Sequence, residues 1–433
     1  VKKLKEEYIE FSFDAQYDDR KMLEKERIIM KLLRITFDFY PALGGLGVHT
    51  TELSKRMSKY LSLQLVLTLK HSRSSPYYER LTRNTYIIRI PFPSKLPNTL
   101  RYLIASITLF FHLMIKYRWF KPQIIHAHYG LSIFEMIIAS IYGYLRKIPV
   151  IWMFHGTVEK WNRVLGYLES LLCLMAKYKF LRVDRILVLD DGTNGPIKFR
   201  RLINNAIDIT TVYHAIDTDY FRPGCDSYGD NKLRLFDKFV VISTSRLDLH
   251  KNVEYTIAGF ARFLNKYNIN DSVLLIIGDG PMKRILQRLA SRLGVSDKVY
   301  FMGHMGLDKL RKYLSMSQVF IQTSLISNMT RTVQEAMAMA KPVIVFDSGG
   351  IDRLIKKGID GIIVEPRNVE GLADALYLLY KNSTLRKQLG RNACQKILKE
   401  RSWQFRIDIE LNIYKSLLGR KFYGRSYGTC MRD

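Results

Sequence analysis

Cysteine is scarce in this 433-residue chain. Cys173, Cys225, Cys394 and Cys430 lie far apart with no C-x-x-C spacing, which argues against a zinc ribbon or a disulfide framework and fits a reducing compartment. Long apolar runs are also missing. The most apolar stretch, residues 103–115, is interrupted by Ser106, Thr108 and His112 and is shorter than the ~18 residues a membrane-spanning helix needs. Flanked by Arg101, Lys116 and Arg118, it is read as a buried helix, the alternative being one that lies on a membrane surface. Acidic residues are few: 40 Asp and Glu stand against 68 Lys and Arg, a formal net charge of +28. That excess suits polyanionic surroundings such as phosphorylated substrates, anionic headgroups or nucleic acid, or else a generally basic solvated surface. The N-terminus has no signal-peptide pattern, so the expected location is cytoplasmic, with contact to the inner face of an anionic membrane as an option.

What the chain does contain is an alternation of short apolar runs and helical patterns, which argues for an α/β fold with parallel, doubly wound sheets. After a charged extension, residues 1–29, strands are expected at 32–37, 63–69, 85–90, 124–127, 150–154, 185–189 and 209–212, with helices between them. The first strand opens into a glycine-rich turn, Gly44-Gly45-Leu46-Gly47, whose spacing matches neither the dinucleotide fingerprint nor a Walker loop. Histidines sit at strand ends, His126 and His128 in one cluster and His155 in another. There they either face a cleft, where they bind or move a proton, or satisfy local backbone groups. Asp217-Thr218-Asp219 has the D-x-D form of a metal site but no other ligand-type cluster near it in sequence, so no metal is expected.

Composition shifts to Gly, Asp, Asn and Lys over residues 222–237, read as a linker between a first domain, 30–221, and a second, 238–401. In the second domain, strand 239–243 leads into a loop carrying Arg246 and Lys251, two cations suited to clamping a diphosphate. The centre of the chain is the stretch 319–351. There the order is strand 319–322, a loop rich in Ser, Asn and Thr, helix 331–340, ended by Pro342, and strand 343–346. In a parallel sheet this arrangement puts loop and helix start at the carboxyl edge, where the free N–H groups favour an anion. Glu335, about one turn into the helix, is placed either to accept bonds from sugar hydroxyls or simply as a carboxylate near a helix start. A final helix, 404–418, begins a C-terminal segment, 402–433, that ends in a basic tail.

From about residue 32 to 418, and most specifically between Arg246 and Gly361, the sequence resembles the retaining nucleotide-sugar glycosyltransferases of glycosyltransferase family 4, the glycogen-synthase-like group. The resemblance implies a GT-B architecture: two Rossmann-like domains facing across a cleft, with the last helix crossing back to the first. It also implies sugar transfer from a nucleoside-diphosphate sugar, used as co-substrate without cofactor or metal, to a glycan or lipid-linked acceptor, and no nucleic-acid partner. By position, Gly44 and Gly45 correspond to the glycine pair facing the donor diphosphate, and His155 to the cleft histidine. Arg246 and Lys251 match the diphosphate clamp, Thr332 and Val333 the amides at the distal phosphate, and Glu335 the carboxylate on the ribose. The chain departs from the family where the first of two glutamates eight apart is replaced by Ser327, where a Gly-Phe-Gly-like loop becomes Asn328-Met329-Thr330-Arg331, and where Asn-Gly becomes His214-Ala215. Ser327, Asn328 and Thr330 are therefore expected to line the sugar pocket. An epimerase of the same fold and a non-catalytic sugar-nucleotide binder are the rival expectations.

Overall fold

The structure, a computed structural model, describes residues 28–37, 39, 45–70, 75–92, 97–130, 133–155, 163–193, 195–224, 235 and 237–422. Two sheets organise them. The first has eight strands in the order β3-β4-β2-β1-β5-β6-β7-β8. These are β1 Ile28–Thr36, β2 Leu61–Lys70, β3 Tyr78–Thr82, β4 Thr85–Pro91, β5 Ile124–Tyr129, β6 Val150–Phe154, β7 Arg185–Leu189 and β8 Ile209–Val212. All neighbours pair in parallel except the edge pair β3 and β4. The second sheet is wholly parallel, in the order β11-β10-β9-β12-β13-β14. Its strands are β9 Phe239–Thr244, β10 Ser272–Ile277, β11 Val299–Gly303, β12 Val319–Gln322, β13 Val343–Phe346 and β14 Ile362–Val364.

Helices cover both faces of each sheet, so central strands such as Val-Ile-Trp-Met-Phe of β6 are apolar throughout and buried throughout. One face of the first sheet carries α2 Asn98–Phe111, α3 Phe134–Arg146, α4 Arg163–Lys177 and α5 Gly195–Ile203 over a common core. On the other face lie α1 Gly45–Met57 and the long last helix, α12 Trp403–Phe422. Trp403, Ile407, Leu411 and Tyr414 of α12 recur at helical spacing and pack with Leu32, Leu53 and Ile151, so the end of the chain does return to the first domain. In the second domain α6 Val253–Tyr267, α7 Lys283–Arg292 and α10 Val369–Lys381 share one core. The opposite core takes α8 Leu307–Met316, α9 Arg331–Ala338 and part of α11 Ser383–Glu400.

Three expectations change. β1 starts at Ile28, inside the segment assigned to an extension, because Met30 is wholly buried in the core beneath α12; residues 1–27 lie outside the described residues, as do most of the proposed linker and the basic tail. The short strands β3 and β14 are additional. The apolar run 103–115 is not simply buried: Ala105, Leu109 and Leu113 face the core, while Leu103, Ile107, Phe111 and Ile115 face outward.

Candidate active site

The strand-end loops of the second sheet are laced together by side chains with little freedom left. Asn252, at φ 50°, accepts the Leu325 N–H on its amide oxygen at 3.0 Å, and its carbonyl accepts the Thr323 hydroxyl at 2.8 Å. The Ser324 hydroxyl donates to the His250 carbonyl at 3.0 Å, and the Thr332 hydroxyl to the Thr244 carbonyl at 3.2 Å. Close approach fixes the neighbouring turn as well. Gly278 sits at φ +134°, where a Cβ would overlap the Ser245 carbonyl. The loop carrying Arg246 and Lys251 is thereby held beside the start of α9.

Three cations belong to this edge. The Arg246 side chain is 79% exposed and paired with Asp248 at 3.0 Å. Lys251 is half-buried, and burial lowers its pKa, with Asp248 opposing the shift and Arg246 adding to it. Arg331 is the first residue of α9, whose first turn has no acidic residue. A cation there opposes the helix dipole, an arrangement that becomes favourable when an anion binds the helix start. Arg331 Nε donates to Glu335 Oε1 at 2.9 Å. Glu335 is buried, and burial raises its pKa while Arg331 pulls it back.

Glu335 thus stands where expected, one turn into the helix, and Lys251 and Arg246 lie one strand away. The hydroxyl-rich residues behave differently from the expectation. Asn328 is fully buried: its amide nitrogen bonds the carbonyls of Ser324 and Phe346 and the Ser348 hydroxyl, and its oxygen accepts the Ser324 N–H, so its polar atoms hold the loop rather than line a pocket. Thr330 caps α9 by accepting the Val333 N–H and donates to Gln322 at 3.0 Å, so its hydroxyl and the Val333 amide are engaged with each other. The Ser327 hydroxyl donates across to the first domain, to the Asp191 carbonyl at 2.5 Å. Beside it Arg353 grips Asp190 with two bonds of 2.7 and 2.8 Å, and Gly192 and Gly349, both at positive φ, admit the close contact. Ser327 therefore belongs to an interdomain latch. Gly44 lies outside the described residues, and Gly45 begins α1.

Across from this edge, the first domain presents a buried chain of imidazoles that leads away from His155. His155 Nε2 is 3.0 Å from His128 Nδ1, and His128 Nε2 meets the Arg34 guanidinium. Arginine can only donate, so His128 Nε2 accepts, its proton is on Nδ1, and that proton is shared with His155 Nε2. His155 accordingly carries its own proton on Nδ1. Arg34 reaches Glu410 of α12 at 3.8 Å, and Glu410 also binds Arg406 at 2.7 Å and the Tyr414 hydroxyl at 2.9 Å. That hydroxyl accepts from His126 Nδ1 at 2.7 Å. Burial drives His128 and His155 well below the ordinary imidazole value, with nearby cations adding to the effect, so both are neutral near pH 7. Glu410 stays ionised despite its burial: Arg406, then His126 and Arg34, bring it to about 2.

His155 was expected from the sequence, whereas His49, Arg34, Arg331 and Glu410 were not. His49 of α1 lies between the Trp403 ring, 5.2 Å away and stacked, and the His155 ring at 5.6 Å, and Arg331 is close enough to lower the pKa values of both His49 and His214. Arg331 was within reach, as a cation at a helix start. Glu410 and Arg34 are 376 positions apart and meet only when α12 crosses back. Asp217 of the D-x-D tripeptide is taken by Arg56 at 2.5 Å, and among the described residues no group of three or more His, Cys, Asp or Glu has metal-holding geometry.

Comparison with known proteins follows the two-domain division. The model of glycosyl transferases group 1 matches residues 230–396 and that of glycosyltransferase family 4 residues 43–220. N-acetyl-alpha-D-glucosaminyl L-malate synthase of Bacillus anthracis is 25% identical over 400 residues, 89% of this chain and 96% of that one. D-inositol 3-phosphate glycosyltransferase of Acidothermus cellulolyticus is 25% identical over 398 residues, 87% of each. Among solved structures, sucrose-phosphate synthase from Thermosynechococcus elongatus superposes with a TM-score of 0.72 at 18% identity, over 90% of this chain and 100% of that one. Anabaena Alr3699/HepE in complex with UDP and glucose gives 0.66 at 17% identity, over 89% and 99%. At such identities the structural likeness establishes the fold, GT-B, and no more.

Proposed function

Because the chain belongs to the group 1 glycosyltransferases of glycosyltransferase family 4, we propose that it moves a glycosyl group from a nucleoside-diphosphate sugar to an acceptor held by the first domain, with retention of configuration and without a metal ion. The observation that carries this reading is the convergence of Arg246, Lys251 and Arg331 on neighbouring strand ends at the start of α9. As the sugar–phosphate bond breaks, negative charge grows on the departing diphosphate. Fixed cations and helix-start amides stabilise that charge, a task that divalent metals perform in other designs. Arg331 occupies one Glu335 oxygen and orients the carboxylate, whose lone pairs then suit the two ribose hydroxyls of the donor nucleoside.

Opposite, His155 offers an Nδ1–H in its neutral form and can donate to a sugar hydroxyl without adding a charge. No carboxylate of the described site is placed as a nucleophile, so the acceptor attacks on the face that the diphosphate leaves. The departing phosphate oxygen is the base that takes the acceptor's proton. The complex of Anabaena Alr3699/HepE with UDP-glucose, a protein of the same fold, supports a nucleoside-diphosphate sugar as donor, and the names of the relatives support hydroxylated acceptors.

The test is Lys251→Ala. Losing one preorganised donor to the leaving group should cut transfer by about 100-fold or more, while the thermal midpoint stays at that of the parent. The assay follows nucleoside diphosphate release from a panel of nucleotide sugars, with and without acceptor. Near-normal turnover in the variant contradicts the clamp, and conversion of the sugar nucleotide without acceptor contradicts transfer.

A further inference from the structure

The helices α2, α3 and α4 lie over one face of the first sheet, on a shared core. Their inner faces are ordinary: Leu109, Met136 and Leu172 are buried. Their outer faces are not. On α2 and the π-wound turn after it, Ile107, Phe111 and Ile115 stand in solvent, Ile115 at 69% exposure. Tyr144 at the end of α3 is 71% exposed and Leu145 beside it is exposed too. On α4 and just beyond, Tyr167, Leu171, Tyr178 and Phe180 are exposed, Phe180 at 77%. Scattered exposed leucines need no explanation, but aromatic and aliphatic side chains exposed repeatedly on three successive helices of one face do.

The charge of this sector is one-sided. Between Asn98 and Val183 the chain has eleven Lys and Arg against three carboxylates. Two of the three, Glu135 and Glu169, are buried, and Glu159 lies outside the described residues. Arg118, Lys121, Arg146, Lys147 and Lys179 are exposed near the carboxyl ends of the three helices, next to the exposed aromatics. All three crossover helices run antiparallel to the strands they connect, so these ends gather at one edge of the domain. Apolar side chains ringed by cations, aromatics among them, match the boundary between acyl chains and anionic headgroups. A second copy of the chain fits poorly, since face-to-face packing would oppose like charges, and the carboxylates at this edge, Asp184 and Asp208, are already paired with Arg182 and Arg185.

We propose that the outer face of α2, α3 and α4 is a membrane-docking surface, which seats Phe111, Ile115, Tyr144 and Phe180 at the level of the lipid headgroups while Arg118, Arg146, Lys147 and Lys179 engage anionic lipid. No described helix is long and apolar enough to cross a membrane, so the contact is peripheral.

The experiment is co-sedimentation of the full chain with large unilamellar vesicles of phosphatidylcholine, either alone or with about one-third phosphatidylglycerol. The parent should bind the anionic vesicles at least about ten-fold better than the neutral ones, and less as salt rises. A triple variant, Phe111→Ser, Tyr144→Ser and Phe180→Ser, should lose binding about ten-fold at every salt concentration. Arg146→Glu with Lys147→Glu should lose it mainly at low salt. Both variants should keep the parent's thermal midpoint and its affinity for nucleoside diphosphates, so failure here is distinguishable from failure of the catalytic reading. Absence of vesicle binding, equal binding to neutral vesicles, binding that the triple variant retains, or a solution dimer that the triple variant dissociates would each overturn the proposal.

Discussion

On the first-domain wall of the cleft a half-buried His155 leads into a buried series of side chains, His128 to Arg34 to Glu410. On the second-domain wall Arg246, Lys251 and Arg331 stand at a loop and a helix start, partly or wholly open to solvent. One wall keeps its imidazoles neutral through burial, with the ion pairs needed to sustain that burial placed behind them, against the crossover helix. The other keeps permanent charge where a ligand can displace water from it. Charge at the surface of a cleft binds; charge buried behind it positions. Arg331, part-exposed at a helix start, and Arg406, buried against Glu410, show the same residue type at the two depths.

The contrast predicts that the buried wall fails by unfolding. Glu410→Gln leaves Arg34 and Arg406 buried beside a neutral amide, and breaking a buried pair in this way costs roughly 3–5 kcal/mol. Urea denaturation should show that loss, with the His155 end of the cleft disordered before the loops of the second domain. Unchanged stability would mean that α12 is not held through Glu410.

A titration separates the walls next. His214 and His126 have folded values of about 4 and about 3, and His49, His128 and His155 are also lowered by burial. Below about pH 6.5, where a free imidazole takes up its proton, the unfolded chain binds more protons than the folded one, so stability falls with falling pH toward those lowered values. Glu410, brought to about 2 from 4.5, adds to the loss in the same direction at lower pH. Scanning calorimetry from about pH 7.5 to about pH 5 should give a declining midpoint, and a flat or rising one would contradict the neutral, buried imidazoles.

The smallest effect belongs to the second wall. Thr330→Ala removes the α9 cap and should cost about 1 kcal/mol. Its consequence for nucleotide binding should be several-fold at most, because the helix stays in place through its buried face. A loss as large as that of Lys251→Ala would mean that Thr330 touches the ligand.

Much of this frame can be read from the chain. β6, β7, β8, β12 and β13 fall where expected residue for residue; for β6 and β13 the reason is plain, since strands covered on both faces are apolar throughout. β3 escaped notice since Tyr78–Thr82 is a polar edge strand with no apolar run, and β14 because three residues are too few for any periodicity. The run 103–115 has apolar residues all round, so its pattern alone could not separate core-facing from outward-facing positions. For the candidate site, the positions of Arg246 and Lys251 after β9 and of Glu335 in α9 were legible from strand–loop–helix order. Asn328 and Ser327 were not, since what a loop hydroxyl or amide does depends on which distant backbone group arrives beside it, Phe346 in one case and Asp191 in the other.

The central claim is that a diphosphate is held between these walls by the cations of the second one. Crystals grown with a nucleoside diphosphate should show the terminal phosphate within hydrogen-bond distance of Lys251 and Arg331 at the start of α9; density for the phosphates anywhere else refutes the clamp.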